Sequence, residues 1–257
     1  MANFMSAEVT QVSHWSDKLF SFRTTRDRSL RFENGQFVML GLDVEGCRVA
    51  RAYSIASANY QDELEFYSIK VPNGPLTSRL QHLNVGDRLW ISAKPTGTLV
   101  LRDLRSGKRL YMFATGTGIA PFASLLRDIE TYDRFETVIL ARGARFKADL
   151  AYGDHLVKQL RDDELIGDRV RAQLLDYASV TREPFEHVGR LSTLIVSDQL
   201  TRDLGLPALN PNMDRAMICG SAAMLKDIST LLDRRGFECS PRIGEPGDYL
   251  IERAFVG

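Results

Sequence analysis

The chain has 257 residues, enough for one large domain or two ordinary ones, and its 33 basic residues balance its 33 acidic residues. This balance excludes the overall charge that nucleic-acid binding would need, and no apolar run reaches the roughly 20 residues that span a membrane. Three separated cysteines without a CxxC pattern, and four histidines without ligand spacing, argue against a metal centre or a cysteine-ligated cluster. The N-terminus has no signal-peptide pattern. We therefore expect a soluble cytoplasmic protein that uses no metal and has neither nucleic acid nor membrane as a partner.

Residues 1–100 are predicted to form an antiparallel β-barrel. Alternating or aromatic-rich runs are separated by turn-forming residues such as Glu33-Asn34-Gly35. Strands at this spacing favour a small closed barrel, because closure removes sheet edges. The predicted strands are 7–15, 18–25, 36–42, 50–56, 64–71 and 88–93. A predicted helix at 75–83 places Leu76, Leu80 and Leu83 on one face.

Residues 101–257 are predicted to form a second, α/β domain, after a linker at 94–108. Strand and helix patterns alternate here, which indicates a parallel sheet covered on both faces, with ligands at the carboxyl ends of the strands. The predicted strands are 110–114, 137–141, 170–178, 216–219 and 249–255. The predicted helices are 122–132, 149–163, 191–198 and 222–235.

A glycine turn follows the first strand of this second domain. Gly116 and Gly118 permit backbone angles and close approach that a Cβ would forbid, and Pro121 is typical of a helix's first turn. Strand, glycine turn and helix N-terminus together form an anion site. The pattern Gly-x-Gly-x-x-Pro is shorter than the full dinucleotide fingerprint, so an ordinary tight turn remains the alternative.

Two further groups of residues indicate nucleotide binding. In Arg51-Ala52-Tyr53-Ser54, a guanidinium could hold an anion, an aromatic ring could stack on a planar group and a hydroxyl could bond a ring heteroatom. Arg145 follows the second predicted strand, and Arg182 and Arg190 follow the third. An arginine at this place accommodates a 2′-phosphate, which favours NADP over NAD. The alternative for the first group is a surface arginine and a half-buried tyrosine, and the alternative for the three later arginines is solvated surface charge.

Four motifs carry a resemblance to a known family. They are Arg51-Ala52-Tyr53-Ser54, Gly116-Thr117-Gly118-Ile119-Ala120-Pro121, Cys219-Gly220-Ser221-Ala222-Ala223-Met224 and the end 247–256, which contains Ala254-Phe255-Val256. In this order and spacing, they resemble the bacterial ferredoxin (flavodoxin)–NADP+ reductases over essentially the whole chain. The resemblance implies an antiparallel FAD-binding barrel, residues 1–100, followed by an NADP-binding α/β domain, residues 101–257.

The resemblance also implies roles for individual residues. Arg51 would meet the FAD pyrophosphate, Tyr53 would pack on the isoalloxazine and Ser54 would lie near flavin N5. A part in hydride transfer falls to Ser54, Cys219, Glu252 and Ala254, with Ala254 against the flavin face that admits nicotinamide. The implied FAD-binding residues are Arg51, Ala52, Tyr53, Ser54, Ser68, Ile69, Lys70, Leu76, Thr77, Ser78, Thr117, Ala254 and Phe255. The implied NADP-binding residues are Gly116, Thr117, Gly118, Arg145, Thr181, Arg182, Arg190, Cys219 and Asp227.

The function that follows from the resemblance is electron transfer between NADPH and ferredoxin or flavodoxin by an FAD-containing monomer, with hydride passing to flavin N5. The cofactors carry this chemistry and the protein positions them. The alternatives are an NAD(P)H:flavin or ferric-siderophore reductase with the same fold, or a nucleotide-binding electron-transfer subunit without chemistry of its own.

Overall fold

The computed structural model describes residues 3–72 and 74–253. In this part of the chain the first sheet is antiparallel and six-stranded, in the order β4-β3-β6-β1-β2-β5. A bridge between Ile55, just after β4, and Phe66 of β5 joins the two edges of the curled sheet. This confirms the predicted antiparallel barrel. Its strands are β1 (Phe4–His14), β2 (Leu19–Thr25), β3 (Phe37–Val44), β4 (Cys47–Ser54), β5 (Glu63–Ile69) and β6 (Arg88–Ser92).

Aromatic side chains fill the barrel. The rings of Phe20 and Phe22 lie 6.1 Å apart, and those of Phe22 and Phe66 lie 5.4 Å apart. All three side chains are buried. The predicted helix at 75–83 is shorter in the structure, α1 (Thr77–Leu80), and Leu80 packs in the same core.

The second sheet is parallel, and its five strands in the described residues have the order β11-β10-β7-β8-β9. These strands are β7 (Arg109–Thr115), β8 (Thr137–Ala144), β9 (Leu174–Val180), β10 (Asp214–Gly220) and β11 (Tyr249–Arg253). The helices between them are α2 (Ala120–Leu126), α3 (Ile129–Arg134), α4 (Ala151–Arg161), α5 (Gly167–Gln173), α6 (Leu191–Val196), α7 (Gln199–Asp203) and α8 (Ala222–Arg234).

Helices cover both faces of the parallel sheet, as predicted. Along β7, Leu110 and Met112 belong to one apolar cluster, while Tyr111 and Phe113 belong to the other. A strand buried on both faces has no need of polar alternation. The uninterrupted apolar run is therefore the sequence signature of this central strand.

Three details of the predicted elements are wrong. The strand predicted at 170–178 begins only at Leu174, because Gly167–Gln173 is helical; buried Ile166 and Val170 have the four-residue spacing of one helix face. The helix predicted at 122–132 is two helices, separated where Asp128 caps α3 by accepting a hydrogen bond from the Glu130 amide. The short helix α7 was not predicted at all. The last residues of the strand predicted at 249–255 lie outside the described residues.

Candidate active site

Two turns at the carboxyl ends of neighbouring strands are packed backbone to backbone. The first is a 3₁₀ turn, Gly116–Ile119, which leads from β7 into α2. A Cβ on Gly118 would lie 2.1 Å from the carbonyl oxygen of Cys219, at the end of β10. A Cβ on Gly220 would lie 2.2 Å from Thr115 Oγ1. Glycine at these positions is therefore what allows the two turns to meet.

A cleft opens between the first of these turns and the outer wall of the barrel. The space between its walls, together with the open solvent at its mouth, is about 760 Å³. It collects most of the residues that the sequence assigned to FAD: Arg51, Ala52, Tyr53, Ser54, Ser68, Ile69, Leu76, Thr77 and Thr117. Lys70 and Ser78 are each the next residue in the chain after a residue that lines this wall. Two distant segments, β4 and the turn after β7, thus contribute to one space.

Tyr53 is held rigidly in the cleft wall. Its hydroxyl shares a hydrogen bond with Ser68 at 3.1 Å, and its ring meets Phe66 edge-on. Burial raises the pKa of Tyr53 to about 12, against a smaller opposing effect of the Ser68 hydrogen bond. The phenol is therefore neutral at physiological pH and offers a fixed aromatic surface.

Glu252 and Cys219 lie side by side on β11 and β10, as paired residues of the parallel ladder. The Glu252 carboxylate accepts a hydrogen bond from the Thr98 amide at 3.1 Å, while its second oxygen has no partner within residues 3–72 and 74–253. Burial raises the pKa of Glu252 to about 7, although the Thr98 amide and the nearby hydroxyls of Thr98 and Ser54 oppose the shift. Glu252 is thus placed near Ser54 and is poised to change its charge near neutrality.

Cys219 is completely buried. Burial raises the pKa of its thiol well above the ordinary value, and the neighbouring Glu252 carboxylate adds to this effect. The thiolate is the nucleophilic form of cysteine. Cys219 is therefore an uncharged, unreactive thiol in this structure.

The backbone brings the predicted 2′-phosphate residues together at the ends of β8 and β9. The Arg182 amide donates to the Arg145 carbonyl at 3.1 Å, and the Thr181 hydroxyl donates to the Ala144 carbonyl at 3.3 Å. The Gly189 amide donates to Val180, which places Arg190 beside the same edge. All three arginine side chains are exposed.

Arg142 lies in the same segment but has a different environment. It is buried, donates to Asp176 at 2.8 Å and to Asp154 at 2.9 Å, and so has its guanidinium committed to two carboxylates. Two carboxylate partners of this kind leave an arginine little freedom to bind a ligand. The exposed arginines are the ones available.

The remaining predicted residues are less informative. Asp227 is exposed on α8. Ala254 and Phe255 lie outside the described residues.

Several residues that line the cleft were not predicted: Tyr67, Val71, Gly74, Pro75 and Ala120. Among them, only the Gly74-Pro75 pair between β5 and α1 has a sequence pattern that could have indicated a site. Thr98, which donates to Glu252, was also not predicted, and no sequence pattern indicates it because the two residues are 154 positions apart.

Two kinds of feature are absent from the described residues. No group of three His, Cys, Asp or Glu side chains among them could hold a metal ion. None of the helices in residues 3–72 and 74–253 is both long and apolar enough to cross a membrane.

Comparison with known proteins places this geometry in a family. Residues 5–100 match the family described as "Oxidoreductase FAD-binding domain", and residues 112–230 match "Oxidoreductase NAD-binding domain". The chain is 58% identical to the ferredoxin–NADP reductase of Pseudomonas aeruginosa over 100% of this chain and 99% of that protein. It is 37% identical to the flavodoxin/ferredoxin–NADP reductase of Escherichia coli over 98% of this chain and 99% of that protein.

A solved structure agrees with these relatives. The ferredoxin NADP+ reductase from Neisseria gonorrhoeae, with bound FAD and NADP, superposes with a TM-score of 0.88 at 30% identity, covering 99% of this chain and 100% of that one. The barrel, the parallel sheet and the cleft between them thus define a two-domain oxidoreductase that uses FAD and a nicotinamide nucleotide. Within that class, the chain belongs to the ferredoxin–NADP reductase family.

Proposed function

We propose that the cleft between the barrel and the β7 turn is the place where NADPH and FAD exchange electrons in this enzyme. The observation that carries the proposal is that β4 and the turn Gly116–Ile119 line one space. The chemistry of its walls suits FAD: a guanidinium on Arg51 for the pyrophosphate, an aromatic face on Tyr53, and hydroxyls on Ser54 and Thr77. Thr117 contributes from the opposite domain. We place the boundary between the two domains at residues 100/101.

When bound, FAD would supply the hydride and one-electron chemistry that connects NADPH to the carrier. The chain's residues contribute position and environment. Tyr53, held by Ser68, provides a fixed stacking surface. Ser54, on the cleft wall, would offer its hydroxyl to the flavin. Gly118 and Gly220 let the two turns lie in contact with each other, beside the place proposed for the nicotinamide.

We assign Glu252 to the nicotinamide end of the cleft. Its second carboxylate oxygen is buried and has no partner among the described residues. An unsatisfied buried acceptor is costly, and the nicotinamide carboxamide is a donor that would relieve it. Cys219, buried and neutral beside Glu252, would support this end by packing. Ala254 and Phe255 keep the role that the resemblance implies, which is contact with the flavin.

At the other end of the coenzyme, Arg145, Arg182 and Arg190 would hold the 2′-phosphate, with Thr181 beside them and Asp227 as a further contact. Charge-assisted bonds from arginine to phosphate are stronger than neutral ones. The hydrogen bonds that join residues 144–145 to residues 181–182 support this assignment, because they keep two of the arginines together. The nucleotide preferred should therefore be NADPH.

The one-electron carrier is ferredoxin, flavodoxin or both, and we propose that the enzyme acts on them as a cytoplasmic monomer. The test is reduction of purified ferredoxin and of purified flavodoxin by the enzyme, with NADPH as donor. Rapid reduction of at least one carrier is expected. If only free flavin or a ferric siderophore were reduced, the runner-up activity would replace the proposed one.

Glu252 predicts a pH dependence of stability. Its pKa is about 7 in the folded protein, against an ordinary value of 4.5. The folded protein therefore holds the proton more tightly than the unfolded chain. The resulting stability is fully present below the unfolded pKa and is lost as the pH rises through the folded one. We expect wild type to lose up to about 3 kcal/mol relative to Glu252→Gln between these two pH values.

Urea unfolding of both proteins at several pH values measures this difference. Glu164→Gln, which changes an exposed carboxylate, is the matched control and should follow wild type. If the free energy of unfolding changed with pH in the same way for wild type and Glu252→Gln, Glu252 would be solvated and would titrate normally.

A further inference from the structure

The seam between the two sheets contains a buried carboxylate that is shared by both. Glu65 lies on β5 of the barrel and is 6% exposed. Arg127, at the end of α2, approaches it at 3.2 Å, and the Tyr152 hydroxyl on α4 donates to its other oxygen at 3.1 Å. A second hydrogen bond from Arg127 reaches the carbonyl of Ala56 at 2.7 Å. Both domains therefore contribute to one enclosed polar network.

The position of this network along the chain connects it to the cleft. Ala56 follows Ser54 by two residues, and Glu65 precedes Tyr67, which lines the cleft, by two. On the other side of the seam, Arg127 closes the helix that begins at the Gly116–Ile119 turn. A helix of seven residues is about 10 Å long. The network thus ties the walls of the flavin site to the nicotinamide turn through one short rigid element.

Tyr152 makes a second, independent connection to the cleft. Its ring stacks on Tyr67 with 4.2 Å between centroids and 15° between planes. Trp15 also meets Tyr152 edge-on, with 5.4 Å between ring centroids. Since Tyr67 faces the cleft, a shift of Tyr152 would move the cleft wall itself.

Stability alone does not account for such an arrangement. A buried ion pair contributes little net stability compared with apolar residues of the same volume, because both charges lose their hydration. What the pair does provide is directional geometry, since the planar guanidinium fork binds in fixed directions. Hydride transfer is sensitive to geometry of this kind, and a displacement of about 1 Å can cost roughly 100-fold in rate.

We propose that Glu65, Arg127 and Tyr152 are positioning residues that set the distance between the flavin wall and the nicotinamide turn. The proposal rests on the proposed location of both cofactors in the cleft. It assigns to the seam a kinetic role, in addition to the cohesion of the two domains.

The first test is Tyr152→Phe, which removes one hydroxyl and keeps the stacked ring. The matched control is Tyr132→Phe, because Tyr132 is equally buried and its hydroxyl donates to Leu126 within the parallel-sheet domain. In stopped-flow reduction by NADPH, Tyr152→Phe should slow flavin reduction by roughly 10- to 100-fold. Its KM for NADPH should stay close to that of wild type, because the 2′-phosphate site is untouched. Tyr132→Phe should reduce flavin at the wild-type rate.

Two measurements separate positioning from simple loss of stability. The long-wavelength absorbance of stacked nicotinamide and flavin rings should weaken in Tyr152→Phe alone, and amide hydrogen exchange at residues 116–126 should become faster. Glu65→Gln and Asp214→Asn form a second pair, since Asp214 makes a buried ion pair with Arg109 that does not cross the seam. Both should lower the melting temperature, but Glu65→Gln alone should slow hydride transfer.

Equal rates in Tyr152→Phe and Tyr132→Phe, with unchanged absorbance, would show that the seam only holds the domains together. This outcome is distinguishable from a failure of the proposed function, in which wild type itself would not transfer a hydride from NADPH to bound FAD.

Discussion

Arg182→Ala should reduce the use of NADPH by two to four orders of magnitude and leave the use of NADH nearly unchanged. The Arg182 guanidinium can donate two charge-assisted hydrogen bonds to the 2′-phosphate, each contributing about 1.5–3 kcal/mol, so its removal corresponds to about 3–6 kcal/mol. Water around these exposed side chains reduces the effect toward the lower end. The measurement is kcat/KM for each coenzyme with a fixed electron acceptor.

A suitable control is Arg234→Ala, which removes an exposed arginine from the last turn of α8, on the same domain. It should change neither coenzyme's kcat/KM. If Arg182→Ala reduced kcat/KM equally for NADPH and NADH, Arg182 would not contact the 2′-phosphate, and the exposed arginines at the ends of β8 and β9 would be ordinary surface charge.

Gly118→Ala adds one methyl group and should be the most disruptive addition of this size in the site. The added carbon would lie 2.1 Å from the Cys219 carbonyl oxygen, and neither backbone segment can rotate away as a side chain could. Overpacking of this kind costs about 1–3 kcal/mol or more. Because relief requires the two turns to separate, we expect NADPH-dependent flavin reduction to fall by roughly 100-fold as well.

Gly205→Ala is the control for the stability cost alone. Gly205 has φ of +66° at the end of α7, and a Cβ there would meet open space. It should cost about 1–2 kcal/mol through left-handed backbone strain and leave the rate of flavin reduction unchanged. A Gly118→Ala enzyme that reduced flavin as fast as Gly205→Ala would show that the turns need not touch.

Local patterns were enough to predict the architecture. The apolar run of β7, the glycines after it and the alternation of later elements all depend on neighbours within a few residues. The same is true of the Arg51–Ser54 strand, whose four residues lie in the cleft. Where two local patterns compete, prediction failed: Val170 and Leu174 fit a strand, but Ile166 and Val170 fit a helix, and burial of the helix face determined the result.

Contacts between distant segments could not be predicted in this way. The Glu252 carboxylate depends on the Thr98 amide, and Glu65 depends on Arg127 and Tyr152, 62 and 87 positions away. Neither residue type nor sequence spacing predicts such partners, because these contacts form only when the two domains pack against each other. Burial follows the same rule: Arg142 and Arg145 are close in the sequence, but only Arg145 is exposed in the structure.

The enclosed thiol of Cys219 makes the junction of the two turns chemically observable. Reagents attack the thiolate, and this side chain has no access to solvent and a raised pKa. Modification must therefore wait for a local opening in which β10 and the Gly118 turn part. Cys47 and Cys239 are exposed and react from the closed state. In a chain that carries serine at those two positions, the rate of labelling at Cys219 therefore measures how often the junction of the two turns opens.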